Sequence, residues 1–133
     1  MGYINWTDNL DLGLPVMDAD HRRMADLLNQ FLQSLDGRED RAVPILESLI
    51  GAAQAHFQRE EALLDQLHYP ELPYHRLEHQ RLIAQINHFK NRFASGEMPQ
   101  GNSLAIADWL RRWLFDHILN EDRAYRPFVM RLA

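Results

Sequence analysis

Residues 44 to 67 read PILESLIGAAQAHFQREEALLDQL, and this stretch decides the fold class. Its apolar residues recur mostly three and four positions apart, which is the spacing of one face of an α-helix. Pro44 suits the first turn of such a helix, where a missing backbone N–H is tolerated. We therefore predict a helix over about residues 43–67. Its apolar stripe is Leu46, Leu49, Ile50, Ala53, Phe57, Leu63, Leu64 and Leu67.

Three further segments have the same periodicity, and the breaks between the segments are rich in glycine and proline. Asp18 and Ser103 are candidate N-caps, and the fourth helix is expected to end before Pro127. Short connections favour antiparallel neighbours, so we predict an all-α, up-down-up-down antiparallel four-helix bundle with an N-terminal arm. We expect one domain over residues 1–133 with residues 1–17 as the arm. The predicted helices are 18–36, 43–67, 73–95 and 103–126.

Composition excludes several classes of protein and site. The chain has 14 basic and 19 acidic residues, a net charge of −5 and no basic stripe, so nucleic acid is not an expected partner. It has no cysteine, so any metal must be held by nitrogen and oxygen atoms. No apolar run is long enough to span a membrane, and no signal peptide precedes the first helix. We therefore expect a cytoplasmic protein with no membrane partner.

Histidines and carboxylates interrupt the apolar stripes at corresponding levels. Residues four apart lie above one another on a helix, so two such pairs should point inward together. In an up-down-up-down bundle the starts of the first and third helices meet the ends of the second and fourth, at one end of the bundle. Buried polar groups need partners, and a metal would supply them. The six groups are His21, His56, Glu60, His75, His79 and His117.

A seventh group is ambiguous from spacing alone. Five residues advance an α-helix by about 140° beyond a full turn, so Asp122 is less well aligned with His117 than Glu121 is. Asp122 nevertheless continues the row Leu114, Ile118 along the edge of the buried face. Periodicity leaves both acids as candidates.

Four segments together resemble the hemerythrin family, specifically its single-domain bacterial members. The combined pattern of a histidine, HxxxE, HxxxH and HxxxxD is highly specific and covers nearly the whole chain. The segments are 17–21 (MDADH), 56–61 (HFQREE), 75–79 (HRLEH) and 113–118 (WLFDHI), the last followed by Glu121 and Asp122.

The resemblance implies a non-haem di-iron centre and selects Asp122 over Glu121. It implies that one iron is held by three histidines and the other by two, and that two carboxylates and an oxo or hydroxo group bridge them. It also implies that Trp113, Leu114 and Ile118 line a pocket for dioxygen. The implied ligands are His75, His79 and His117 for one iron, His21 and His56 for the other, and Glu60 and Asp122 for the bridges.

The function that the resemblance implies is reversible binding of dioxygen, for storage, delivery or scavenging, by a protein that is not an enzyme. One alternative is an oxygen- or iron-sensing module that acts through a separate, unidentified protein partner. Another is a di-iron enzyme that handles peroxide or nitric oxide, which would need an acid-base group such as Asp20 or Tyr125 near the metals.

Several polar residues receive other interpretations. Asp20 stands where bacterial relatives often have glutamine, and we expect it to act on the metal ligands from outside them. His68 and His88 fall outside the convergence and are expected on the surface. The remaining acids near the motifs are expected on solvated helix faces; these are Glu61, Glu78, Asp116 and Glu121.

Overall fold

The computed structural model describes residues 12–37, 39–97 and 103–132, and it confirms an all-α four-helix bundle. The described residues contain no β-strand. α2 packs against both α1 and α3, and α1 also packs against α4. A 3₁₀ turn, Glu39–Arg41, precedes α2, and a π-helical segment, His117–Asp122, joins α4 to α5. The helices are α1 Pro15–Ser34, α2 Ala42–Gln66, α3 Leu72–Ala94, α4 Ser103–Asp116 and α5 Arg123–Leu132.

The first helix begins earlier than the sequence indicated. Its N-cap residue is Leu14 and Pro15 lies in its first turn, so the prediction of Asp18 as the N-cap was wrong. Asp18 instead turns its carboxylate back onto the incoming chain, where it accepts the backbone N–H of Leu12 at 2.6 Å, Gly13 at 3.0 Å and Leu14 at 3.1 Å. An aspartate can satisfy free backbone donors from inside the first turns as well as from the cap. Of the predicted arm, residues 1–11 lie outside the described residues.

The last helix continues beyond the predicted end. Pro127 lies inside α5, which extends to Leu132, so the expected stop before Pro127 was wrong. A proline inside a helix costs about 3 kcal/mol. Tyr125 and Val129, on either side of it, are 0% and 6% exposed. Burying two such side chains contributes about 1.5–3 kcal/mol each, which offsets the loss.

Two apolar clusters fill the bundle and leave a polar layer between them. The main cluster contains Met24, Phe57, Leu82 and Leu114, among others. The second cluster is Leu12, Met17, Leu64, Leu72, Tyr125 and Val129. α4, the π-helical segment and α5 follow one another without a break and form the fourth helix of the bundle. In each of the four, the predicted metal ligands lie between a residue of one cluster and a residue of the other. The ligand level is therefore closed by apolar side chains on both sides.

None of the described helices combines the length and the apolar character that crossing a membrane would require.

Candidate metal centre

All seven side chains that the sequence and the resemblance pointed to lie together in the polar layer. None is more than 3% exposed. α1 contributes one of them, α2 two, α3 two and the π-helical segment two. They are His21; His56 and Glu60; His75 and His79; and His117 and Asp122.

The Asp122 carboxylate faces a different set of histidines with each oxygen. Its Oδ2 lies 2.7 Å from His21 Nε2 and 3.6 Å from His56 Nε2. Its Oδ1 lies 3.0 Å from His117 Nε2 and 3.7 Å from His75 Nε2. One carboxylate thus spans two groups of imidazoles.

Glu60 divides the histidines in the same way. Its Oε1 lies 3.0 Å from His79 Nε2 and contacts His75 Nε2. Its Oε2 lies 3.2 Å from His56 Nε2 and accepts a hydrogen bond from the Tyr125 hydroxyl at 3.1 Å. Both carboxylates therefore present one oxygen to a two-histidine group and the other to a three-histidine group.

The donor atoms fit cations better than they fit one another. His117 Nε2 and Asp122 Oδ1 are 3.0 Å apart, yet neither buried atom has a hydrogen-bond partner among the residues that the structure describes. Two ligands at right angles on a metal with bonds of about 2.1 Å would lie about 3.0 Å apart. In each of two sets, one ligand atom per residue lies within 4.8 Å of the others. The sets are His21, His56, Glu60, Asp122 and Glu60, His79, His117, Asp122.

The π-helical segment explains how His117 and Asp122 share one face. In a π-turn the backbone hydrogen bonds run between residues five apart, so residues at that spacing lie one turn apart. Glu121, the competing acid, is only partly buried. The sequence does carry the signal, because the buried row continues from Asp122 to Tyr125 and Val129 in a register shifted by one residue from Leu114. A search with one α-helical period of 3.6 residues along the whole segment misses this shift, because the shift lies between the row before the segment and the row after it.

Electrostatics keep the two carboxylates charged in the metal-free chain. Burial and the neighbouring Glu60 would raise the pKa of Asp122, but the adjacent imidazole of His117 and the hydrogen bond from His21 outweigh them and lower it to about 2. Burial likewise opposes ionisation of Glu60, yet its histidine partners hold its pKa well below the ordinary value. Burial would lower the pKa of His56, but Asp122 and Glu60 raise it to about 10. Protons therefore hold this layer together until a cation replaces them.

A second ring of groups holds the histidines from outside. The Nδ1 of His56 donates to Asp20 Oδ2 at 3.0 Å, so Asp20 contacts a predicted ligand from outside the ligand set. The Nδ1 of His79 donates to Glu61 Oε2 at 2.7 Å, so the interpretation of Glu61 as a solvated residue was wrong. Its position next to Glu60, facing the following helix, was the only sequence signal.

The aromatic wall of the centre includes a residue that the sequence reasoning assigned only to the core. The ring of Phe57 stacks on His79 with centroids 4.0 Å apart and meets His117 edge-on at 4.7 Å. Trp113 and Leu114 are buried in the same cluster as Phe57, and Trp113 Nε1 donates to the Leu82 carbonyl at 3.0 Å. The Ile118 side chain lies outside the described part of the structure.

His68 and His88 are exposed, as predicted. His68 also has a positive φ of 56° in the turn after α2.

Comparison with known proteins gives a consistent family. Residues 12–129 match the profile described as Hemerythrin HHE cation binding domain. A bacteriohemerythrin of Pseudomonas aeruginosa (strain LESB58) is 32% identical over 126 residues, which cover 94% of this chain and 80% of that protein. A bacteriohemerythrin of Stenotrophomonas maltophilia (strain R551-3) is 31% identical over 130 residues, covering 97% and 83%.

Among solved structures, the crystal structure of a wild-type hemerythrin superposes with a TM-score of 0.81 at 23% identity, covering 95% of this chain and 97% of that one. This likeness supports the fold.

Proposed function

The chain belongs to the hemerythrin family, and on that premise we propose that it binds two iron ions in the polar layer and, through them, binds dioxygen reversibly. The observation that carries the proposal is the pair of buried ligand sets that share Glu60 and Asp122. Storage, delivery or scavenging of dioxygen are the roles that such binding would serve.

Each histidine group would hold one iron. His75, His79 and His117 would hold the first and His21 and His56 the second, with both carboxylates bridging, as the division of their oxygens supports. Neutral imidazoles and carboxylates suit ferrous iron. With a hydroxo bridge as in the family, two ferrous ions and the two carboxylates would leave a net charge of about +1, which a buried site tolerates. The loaded iron pair would supply the electrons that dioxygen binding requires.

The two histidine groups offer different numbers of protein ligands, and this difference indicates which iron would bind dioxygen. The three-histidine group offers five protein residues including the shared carboxylates, whereas the two-histidine group offers four. The second iron would therefore have room for an external ligand. Trp113, Leu114 and Ile118 are proposed to line that ligand's pocket, and Phe57 adds an apolar ring against the imidazoles. A dry wall slows exchange with water.

The hydrogen bonding around the centre favours binding over catalysis. Asp20 and Tyr125 were the candidate acid-base groups, and both are engaged. Asp20 accepts from His56 and Arg59, and the Tyr125 hydroxyl donates to Glu60. Burial raises the pKa of Tyr125, with the negative charges of Glu60 and Asp122 adding to the effect, so the phenol keeps its proton.

The test is an anaerobic reconstitution with ferrous iron, followed by titration with dioxygen and purging with argon. We expect two irons per chain, an optical change on oxygenation and full recovery of the initial spectrum. Conversion to a ferric protein with consumption of peroxide would instead favour the enzyme.

Three alanine variants test the ligand assignment. His79→Ala and Glu60→Ala should release iron, whereas His68→Ala, at an exposed position, should retain two irons. Equal iron loss in all three would contradict the assignment.

A further inference from the structure

Each of the two histidine groups has one imidazole that donates to an outer carboxylate. In the two-histidine group, His56 Nδ1 donates to Asp20 Oδ2 at 3.0 Å. In the three-histidine group, His79 Nδ1 donates to Glu61 Oε2 at 2.7 Å. An ionised carboxylate can only accept, so these contacts place a proton on Nδ1 and leave Nε2 as the atom that would bind a cation once any proton on it is released.

Each outer carboxylate is in turn held by an arginine at the surface, but the two arginines bind differently. Arg59 makes two short contacts, from Nε to Asp20 Oδ2 at 2.9 Å and from Nη2 to Asp20 Oδ1 at 2.7 Å. The shortest contact between Arg76 and Glu61 is longer, at 3.3 Å from Nε to Oε1. The two guanidinium side chains are equally accessible, at 48% and 47% exposure.

The two arginines also differ in which carboxylate oxygen they contact. Asp20 Oδ2 accepts from both the histidine and Arg59, so the cation pulls on the same oxygen that faces the imidazole. In Glu61 the histidine contacts Oε2 and Arg76 contacts Oε1. A carboxylate behind an imidazole makes it a stronger donor to a metal, and a guanidinium on that carboxylate opposes the effect.

We propose that Asp20 and Glu61 are positioning residues that set the donor strength of one histidine in each group. Arg59 reduces the effect of Asp20 on His56 more than Arg76 reduces the effect of Glu61 on His79. The inference rests on the proposed di-iron function and deepens it. The two irons then differ in their preference for the ferric state through residues that bind neither metal. Because both arginines lie at the surface, this preference is adjustable without any change to the ligands.

The test is whether removing Asp20 and removing its partner Arg59 shift the midpoint potential of the iron in opposite directions. Asp20→Asn keeps an acceptor for His56 but removes the charge, so ferric iron loses stability relative to ferrous iron. Outer-shell changes of this kind typically alter metal affinity about 10-fold to 100-fold. A tenfold change in relative affinity raises the midpoint potential by about 59 mV for one electron. Arg59→Gln removes the damping and should lower the potential. Asp20→Glu, which retains the charge, should restore most of the wild-type value.

Matched variants separate this effect from general charge changes. Glu61→Gln should also raise the potential, and Arg76→Gln should lower it by less than Arg59→Gln does. Asp108→Asn and Arg112→Gln remove the partners of a 3.0 Å surface ion pair within α4 and should leave the potential unchanged.

Zinc affinity of the metal-free chain provides a redox-inert measurement. It should fall about tenfold in Asp20→Asn, but it should not fall in Arg59→Gln. If both changes weaken zinc binding and shift the potential in the same direction, the ion pair is only structural and the proposal is overturned. Wild-type protein that binds two irons and dioxygen while no variant shifts the potential would overturn this inference alone. Wild-type protein without an iron pair would overturn the proposed function and this inference with it.

Discussion

Replacing Tyr125 by phenylalanine tests how the second apolar cluster is tied to the metal layer. The side chain is 0% exposed, and its hydroxyl donates to Glu60 Oε2 at 3.1 Å. A hydrogen bond to a charged group contributes about 1.5–3 kcal/mol. Unfolding entropy of about 2.1 cal/mol/K per residue gives about 0.28 kcal/mol/K over 133 residues. The metal-free variant should therefore lose about 5–11 °C in Tm.

The assay is thermal unfolding of Tyr125→Phe beside Tyr74→Phe, whose side chain is 53% exposed. The control should change the free energy of unfolding by less than about 0.5 kcal/mol. Loading with zinc should shrink the loss in Tyr125→Phe, because the cations share the charge that the hydroxyl stabilises. Equal Tm values for the two variants in the metal-free state would refute the reasoning.

Three further changes probe the core, the protons and the helix register. Leu114→Ala should lower the free energy of unfolding by about 2–5 kcal/mol in urea titrations, whereas Val16→Ala, at a position that is 60% exposed, should have little effect. Because the pKa of His56 is about 10 in the metal-free chain, metal loading at pH 7 should release protons and metal affinity should fall as the pH is lowered, which calorimetry in buffers of different ionisation enthalpy measures. Deleting the exposed Asn120 should preserve two zinc ions per chain by elemental analysis, whereas deleting the exposed Arg112 should abolish binding.

Much of the architecture was readable because apolar periodicity and buried polar groups are independent signals. The stripe of α2 predicted a helix whose observed bounds differ by about one residue. The interruption of that stripe by His56 and Glu60 located the polar layer, since a chain cannot bury such groups on four helices without giving them partners. The polar layer was expected at one end of the bundle, but the second apolar cluster lies beyond it, so the layer is inside the bundle.

Other features depend on contacts that no periodicity encodes. Asp18 resembles an N-cap in sequence, but Pro15 can start the helix earlier. The Asp18 carboxylate then accepts hydrogen bonds from the backbone N–H groups of the three residues that precede the helix. Glu61 lies on the edge of its helix and looks solvated until α3 brings His79 within 2.7 Å. Interhelical partners of partly exposed residues become visible only when neighbouring helices are placed.

The π-helical segment follows from two apolar clusters that demand different registers of one helix. Leu114 is buried in the main cluster and Tyr125 in the second, and between them His117 and Asp122 lie five residues apart, one more than the spacing of four in an α-helical row. A π-turn absorbs an extra residue without breaking the helix. Removing Asn120 would bring the histidine and the aspartate of this segment to the spacing of four at which His56 and Glu60 already meet on α2. Such a deletion should therefore relieve the insertion and leave the ligands and both clusters in register. A chain lacking Asn120 that folded but no longer bound two metal ions would show that the wider turn itself, rather than the register, positions the aspartate.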